Sequence, residues 1–214
     1  MARNVSHPIL EEAAQGRLKV VGLTADQYDS LIERGELPED PSTELIDGLI
    51  VQKDRSKAGE DPTTVGNLHA WVITQLAKLA HLVQAQGASL RIQLPIKIPP
   101  RHEPEPDAAI VRQDADDYLN AHPLPSDVYC VIEVADSSLE YDRLTKHAVY
   151  ADAGIPCYVI INLPQRKIEI FTKPVQGRRD YSVAEEVKTG GALRLPAGGG
   201  QIVEVPAGRL IPVI

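Results

Sequence analysis

VYCVIEVADSSLEYDRLTKHAVYADAGIPCYVIINLPQRKIEIF, residues 128–171, is the stretch on which the fold turns. Its opening, VYCVIEVAD (128–136), is a nearly continuous apolar run, the pattern of a strand covered on both faces. A helix is expected from roughly Glu140 to Ala153, with Gly154 and Pro156 stopping it. CYVIIN is a second buried strand, and QRKIEIF, after a Pro turn, is an alternating one. Glu133 interrupts the first run, and it is the residue the rest of the chain has to explain.

Upstream, DAAIV is a short strand opening at Asp107. SLRIQLPIKI alternates Leu90, Ile92, Leu94, Ile96 and Ile98 with polar residues, which predicts a half-buried strand with Pro95 at an edge or bulge. From about Thr63 to Gln86 the apolar residues Val65, Leu68, Val72, Leu76, Leu79 and Val83 recur at helical steps, with Gly87 as the cap. Before that, Asp47-Gly48 between Glu44–Ile46 and Leu49–Gln52 predicts a tight hairpin, because this pair supplies positive φ angles. LTADQYDSLIERG predicts a helix capped by Thr24 and ended by Gly35. Residues 1–22 have little periodicity and are expected to be an N-terminal arm or an added strand. Residues 23–214 form one expected domain, with a β-rich part from about 172 in which Gly and Pro separate weaker strands. No repeat of fixed period is present. The order of elements predicts an α/β or α+β domain with a mixed central sheet.

The bulk composition narrows the function classes. A chain of 214 residues can bury one good core, and with aromatics at 4% that core must be mostly aliphatic. The net charge of -8 argues against coating nucleic acid through bulk charge, though it leaves a local basic groove open. Cys130 and Cys157 lie in apolar strand-like stretches and read as small buried hydrophobes rather than a redox pair. There is no leader-like apolar segment, and no apolar run nears the roughly 18–20 residues that span a bilayer. The expected location is cytoplasmic, with no membrane contact.

Asp107 and Glu133 break the apolar logic of their surroundings. Ionised carboxylates are seldom buried unless paired or bound to a cation. Their sequence separation of 26 allows a strand, a loop and a neighbouring strand, so two adjacent strands could aim both carboxylates at one point. Two hard oxygen ligands on rigid strands suit Mg²⁺. The competing reading has Asp107 capping a turn and Glu133 paired with a buried Lys or Arg. Asp142, Lys146 and Tyr150 follow i, i+4, i+8 spacing. That pattern usually marks a surface Asp–Lys pair beside an exposed Tyr; the functional alternative sends Lys146 toward the Asp107/Glu133 site. Glu44 is either a further acidic ligand or a solvated acid near a turn. The six histidines show no zinc spacing; His102 reads as an ordinary loop residue or a substrate contact. No nucleophile elbow, Walker loop or dinucleotide fingerprint is present.

Four segments carry a family resemblance: ELIDGLIV (44–51), VGNLHAWVITQL (65–76), EPEPDAAIV (103–111) and residues 131–171. They resemble the Uma-two family of bacterial restriction-endonuclease-like proteins, within the PD-(D/E)XK superfamily. The last segment is the specific one, and the similarity runs from about residue 23 to 171 and more loosely to 190. The resemblance implies a restriction-endonuclease-like fold, with a mixed central β-sheet flanked by helices. It implies that Asp107 is the acid of "PD" and Glu133 the acid of "(D/E)XK", together holding Mg²⁺ or Mn²⁺. The lysine expected two residues after Glu133 is replaced by Ala135, so Lys146 on the helix becomes the candidate substitute. Glu44 matches the acid ahead of the family's hairpin. Where family members often carry a His before the long helix, this chain has Asp61.

The expected activity is metal-dependent hydrolysis of DNA phosphodiester bonds, with nucleic acid as partner and a homodimer as the assembly. Lys53, Arg55, Lys57, Arg91, Lys97 and Arg101 are candidates to grip the backbone. The alternatives are a non-catalytic nuclease-fold module that binds a protein or nucleic acid and, further off, a non-nuclease hydrolase on the same scaffold.

Overall fold

The computed structural model describes residues 8–37, 43–52 and 66–211. Lys53, Arg55, Lys57, Asp61 and the expected helix start at Thr63 lie outside them. In chain order the elements are α1 (Pro8–Ala14), α2 (Ala25–Glu33), the hairpin β1 (Thr43–Ile46) and β2 (Leu49–Gln52), α3 (Asn67–Ala77), α4 (Ala80–Ala85), β3 (Ala88–Ile92), β4 (Ala108–Arg112) and β5 (Val128–Ala135). A helical crossover follows, made of α5 (Leu139–Tyr141), a π turn (Asp142–Lys146) and α6 (His147–Asp152). β6 (Cys157–Asn162), β7 (Lys167–Val175), β8 (Asp180–Lys188) and a closing hairpin, β9 (Ala192–Pro196) with β10 (Ile202–Pro206), complete the chain.

Six strands form one mixed sheet in the order β3-β4-β5-β6-β7-β8. Only β5 and β6 run parallel, with Glu133 opposite Ile160. A parallel pair cannot be joined by a tight turn, and the helical crossover supplies the long return. All other neighbours are antiparallel. Strand periodicity divides the core between the two faces. On one face Ile110, Cys130, Ile132, Val159 and Ile168 pack with Val72, Leu76, Leu79 and Val83 of the α3–α4 pair and with Leu195 and Val203 of the closing hairpin. On the other, Ala109, Val131, Ala135, Tyr158 and Ile160 pack against Val149 and Tyr150 of α6. Cys130 and Cys157 are buried free thiols on the first face, their sulfurs 3.5 Å apart.

Local rules account for the small elements. Thr24 and Gln27 form a reciprocal capping box on α2, and Gly35 beyond its end has φ of +67°. Asp47 and Gly48, at φ +51° and +79°, make the two-residue turn between β1 and β2.

Four expectations change. In the described part of the helix expected over 63–86, the chain forms two helices. Lys78 and Leu79 stay helical, but Leu79 donates to the Leu76 carbonyl three residues back, and this tightened turn separates α3 from α4. The buried stripe Val72, Leu76, Leu79, Val83 runs through the break, so burial periodicity alone does not reveal it. Leu68, placed on that stripe, is instead exposed. The strand foreseen over 90–98 ends at Ile92, where Gln93 takes a positive φ. Ile96 and Ile98 remain buried, but they bond to Pro104 and His102 outside the sheet. Pro8–Ala14 is a helix rather than an added strand. Finally, the helix after Glu133 contains a π turn.

Candidate functional site

Glu133 sits in β5 on the face shared with Val131 and Ala135, toward the helical crossover. Asp107 directly precedes β4. The register Ala108↔Ile132, extended by one residue, sets Asp107 across from Glu133. The backbone confirms this placement. Asp107 N–H donates to Glu133 Oε2 at 3.4 Å, and Val134 N–H donates to Asp107 Oδ2 at 2.8 Å. Both side chains are buried, Glu133 at 3% and Asp107 at 7% exposure.

The crossover brings the cation. Its π turn closes when His147 N–H donates to the Asp142 carbonyl five residues back. Two side-chain bonds hold Asp142 there. Ser138 Oγ donates to its carboxylate at 2.7 Å, and the Tyr158 hydroxyl donates to its carbonyl at 3.1 Å. Lys146, at the end of this turn, is buried and points into the sheet face. Its Nζ donates to Glu133 Oε1 at 2.8 Å and lies 3.3 Å from Glu44 Oε2. Tyr150, one turn later, donates to the same Glu133 Oε1 at 2.9 Å. The surface reading of Asp142, Lys146 and Tyr150 is therefore overturned, since all three are buried.

Glu44 is not a solvated acid either, at 1% exposure. The pairing of Leu45 with Glu103 draws β1 against the link ahead of β4. The Glu44 carboxylate receives the Tyr141 hydroxyl at 3.3 Å and Glu105 N–H at 3.2 Å. His69, on α3, places Nε2 3.2 Å from Asp107 Oδ2.

Glu44, Asp107, Glu133 and Lys146, nominated separately, thus meet in one place. Burial alone would drive the proton off Lys146, but Glu133, then Glu44 and Asp142, outweigh it, and the ammonium titrates well above its usual range. Burial raises the Asp142 carboxyl, with Lys146 and Ser138 opposing it. It raises the Tyr150 phenol as well, helped by Glu133. Four carboxyl groups around one lysine leave room for further positive charge. The donor set fits a hard divalent ion: Asp107 and Glu133 stand across from each other on neighbouring strands, and Glu133 Oε1 is taken by Lys146 and Tyr150. Two protein carboxylates are the usual complement for Mg²⁺, which keeps waters and binds substrate phosphate with its remaining positions.

The family model described as "Putative restriction endonuclease", Uma2, matches residues 25–203, well over half of the chain. The chain belongs to the Uma2 family. A crystal structure of "a putative nuclease belonging to DUF820 from Anabaena variabilis ATCC 29413" is similar in fold, with a TM-score of 0.63 at 16% identity, covering 88% of this chain and 97% of that one. The fold is restriction-endonuclease-like. No curated protein matches the sequence.

Ala135, where the motif lysine would stand, is fully buried against the crossover on the same face as Glu133. Lys146 reaches that face from the opposite layer, so the cation comes from the helix rather than the strand. Two residues of this Uma2 site, His69 and Tyr141, are not singled out by the sequence reading. From the sequence His69 reads as one of six scattered histidines. The signal existed, because His69, Val72, Leu76, Leu79 and Val83 continue one stripe at alternating steps of three and four, which puts His69 on the buried face in place of Leu68. Tyr141 carried no such signal. His102 lies apart from the site, accepting Asp47 N–H at Nδ1 3.1 Å away. Of the proposed backbone-gripping residues, Lys97 is held by Asp26 and Asp29, and Arg91 stacks over the Tyr118 ring at 5.3 Å. Among the described residues no helix is long and apolar enough to cross a membrane.

Proposed function

We propose that this Uma2 protein is a Mg²⁺-dependent endonuclease that hydrolyses DNA phosphodiester bonds, with Mn²⁺ able to replace Mg²⁺. The observation that carries the reading is the convergence of Asp107 and Glu133 from neighbouring strands on one buried point, with the Lys146 ammonium fixed beside them. Asp107 and Glu133 hold the ion. When bound, it supplies a Lewis acid for a phosphate oxygen and lowers the pKa of an attacking water.

The remaining work belongs to the side chains. Lys146 stays protonated at neutral pH, so it is not the general base. Its ammonium has three N–H donors, and Glu133 and Glu44 account for two of them. The third is suited to a phosphate oxygen, where a fixed positive charge stabilises the charge that develops in the transition state. Glu44 holds Lys146 from the far side and is itself held by Tyr141, which makes it a positioning residue. His69 orients Asp107. Asp107 and His69 are more solvent-accessible than Lys146, Glu133 and Glu44, with side chains 10% and 16% exposed, which makes their side a route for substrate. A two-fold homodimer would place two such sites on the two strands of a duplex.

The decisive experiment joins Mg²⁺ titration calorimetry to plasmid nicking, on wild type, Asp107→Asn and Glu133→Gln. The expected result is nicking by wild type with Mg²⁺ or Mn²⁺, and loss of both metal uptake and nicking in each variant. A folded wild type that takes up no Mg²⁺ would favour the second reading, a non-catalytic nucleic-acid or protein-binding module. One observation favours that alternative: Lys146 is 2% exposed, and its ammonium is already engaged by Glu133 and Glu44 within the fold.

A further inference from the structure

A second group of ligand-bearing side chains lies outside the Lys146 network. Asp29 on α2, Glu103 in the link ahead of β4 and His122 in the loop ahead of β5 each bring one ligand atom within 4.8 Å of the others. All three line a cavity of about 760 Å³ whose walls include neither Asp107, Glu133 nor Lys146. Glu103 is 4% exposed and is directed into this cluster. Its Oε1 lies 3.9 Å from His122 Nε2, and its Oε2 is buried with no hydrogen-bond partner among the described residues. Glu103 is crowded against Asp29 with one buried oxygen lacking a donor, and two acids this close need either a shared proton or a cation between them.

We propose that Asp29, Glu103 and His122 form a second cation site, selective for a borderline transition ion of the Zn²⁺ type over Mg²⁺. The donor set decides the class. An imidazole nitrogen beside two carboxylates suits Zn²⁺, whereas Mg²⁺ prefers an all-oxygen shell. Three ligands from three separate segments leave a coordination position open toward the cavity. The occupant competes with Lys97, whose Nζ pairs with Asp29 and also sits 2.7 Å from the exposed Asp26. Lys97 can keep Asp26 as a partner when Asp29 turns to the ion. The site also reaches the strand that carries Glu44. Glu103 and Leu45 exchange backbone hydrogen bonds of 2.8 and 3.2 Å, so a cation here ties α2 and the His122 loop to β1. The proposal stands whether or not the protein is a nuclease.

The test is Zn²⁺ titration of the chelator-stripped full chain by calorimetry, with thermal unfolding on the same samples and an excess of Mg²⁺ as competitor. Wild type is expected to take up Zn²⁺ with a rise in Tm that Mg²⁺ does not abolish. Glu103→Gln and His122→Ala are expected to weaken this equivalent about tenfold or more. Asp107→Asn and Glu133→Gln are expected to retain it. Lys97→Met removes the competing ammonium and is expected to tighten it, a gain that no folding defect can mimic. A Zn²⁺ equivalent unchanged in Glu103→Gln and His122→Ala, lost in Asp107→Asn, or not strengthened in Lys97→Met would overturn the proposal.

Discussion

Lys146 carries a structural load apart from the role proposed for it. It is a buried cation held between two buried carboxylates, Glu133 and Glu44. Removing one member of such a group leaves the others charged and desolvated, which costs about 3–5 kcal/mol. Lys146→Met is therefore expected to lower stability by that order in urea unfolding and to abolish nicking. Adding Glu133→Gln to Lys146→Met should restore part of the stability, because the uncompensated charge is gone, and none of the activity. Equal instability of the single and double variants would show that the pair is not coupled. Glu103 makes a different prediction, about pH. Burial first, and its hydrogen bond with Asp29 second, push its carboxyl up to about 8, from the ordinary glutamate value of 4.5. Between those values the unfolded chain has released a proton that the folded chain still holds, so stability falls as pH rises through the window and levels off above it. The slope is at most about 1.4 kcal/mol per pH unit. In chelator, Tm measured from pH 5 to 8 should fall more steeply for wild type than for Glu103→Gln; identical slopes would refute this origin.

At the scale of elements, the hairpin that carries Glu44 depends on a close backbone approach. A Cβ on Gly48 would meet the Leu23 carbonyl oxygen at 2.9 Å and Gly22 Cα at 3.0 Å, and its φ of +79° disfavours a side chain in any case. Gly35 has a similar φ of +67° but open space around it. Gly48→Ala is therefore expected to destabilise by more than the ~1 kcal/mol of Gly35→Ala. It should also depress nicking, because β1 cannot shift without moving Glu44 off Lys146. Urea unfolding and nicking of the two variants check this; equal effects would mean that the contact with Gly22 and Leu23 is not needed. The hairpin was legible in the sequence because Asp-Gly has a local conformational meaning. So were β4, β5 and β6, since apolar runs bounded by Gly and Pro need no tertiary knowledge. The π turn was not legible, because it is stabilised by Ser138 and Tyr158, and the second of these comes from another strand. The end of β3 at Ile92 was hidden for a related reason. Ile96 and Ile98 are buried in the core on the sheet's face without joining its ladder, so the alternation continues after the strand has stopped.

For the whole molecule, burial logic in the sequence reached the first site but not the second. Glu133 announces itself as a charge inside an apolar strand. Asp29, Glu103 and His122 come from three segments with no common spacing, and only the packing of α2 and the loop ahead of β5 around the link brings them together. The same global view bears on how DNA would be held under the proposed activity. The chain carries a net charge of -8, and its candidate site adds carboxylates where a phosphate would approach. Without a divalent ion the long-range field would repel DNA. Binding should therefore depend on the ion more than on bulk basic surface. Fluorescence anisotropy with a short duplex is expected to show little binding in chelator. Clear binding is expected in Ca²⁺, an oxygen-seeking ion of looser geometry than Mg²⁺. Asp107→Asn should remove that increment. The slope of log K against log salt should stay shallow, about -2 to -3, as for two or three phosphate contacts, because a groove making many contacts gives a far steeper line. Tight, steeply salt-dependent binding in chelator that survives Asp107→Asn would place DNA on a basic surface away from Asp107 and Glu133, and the metal site would then act after binding rather than in it.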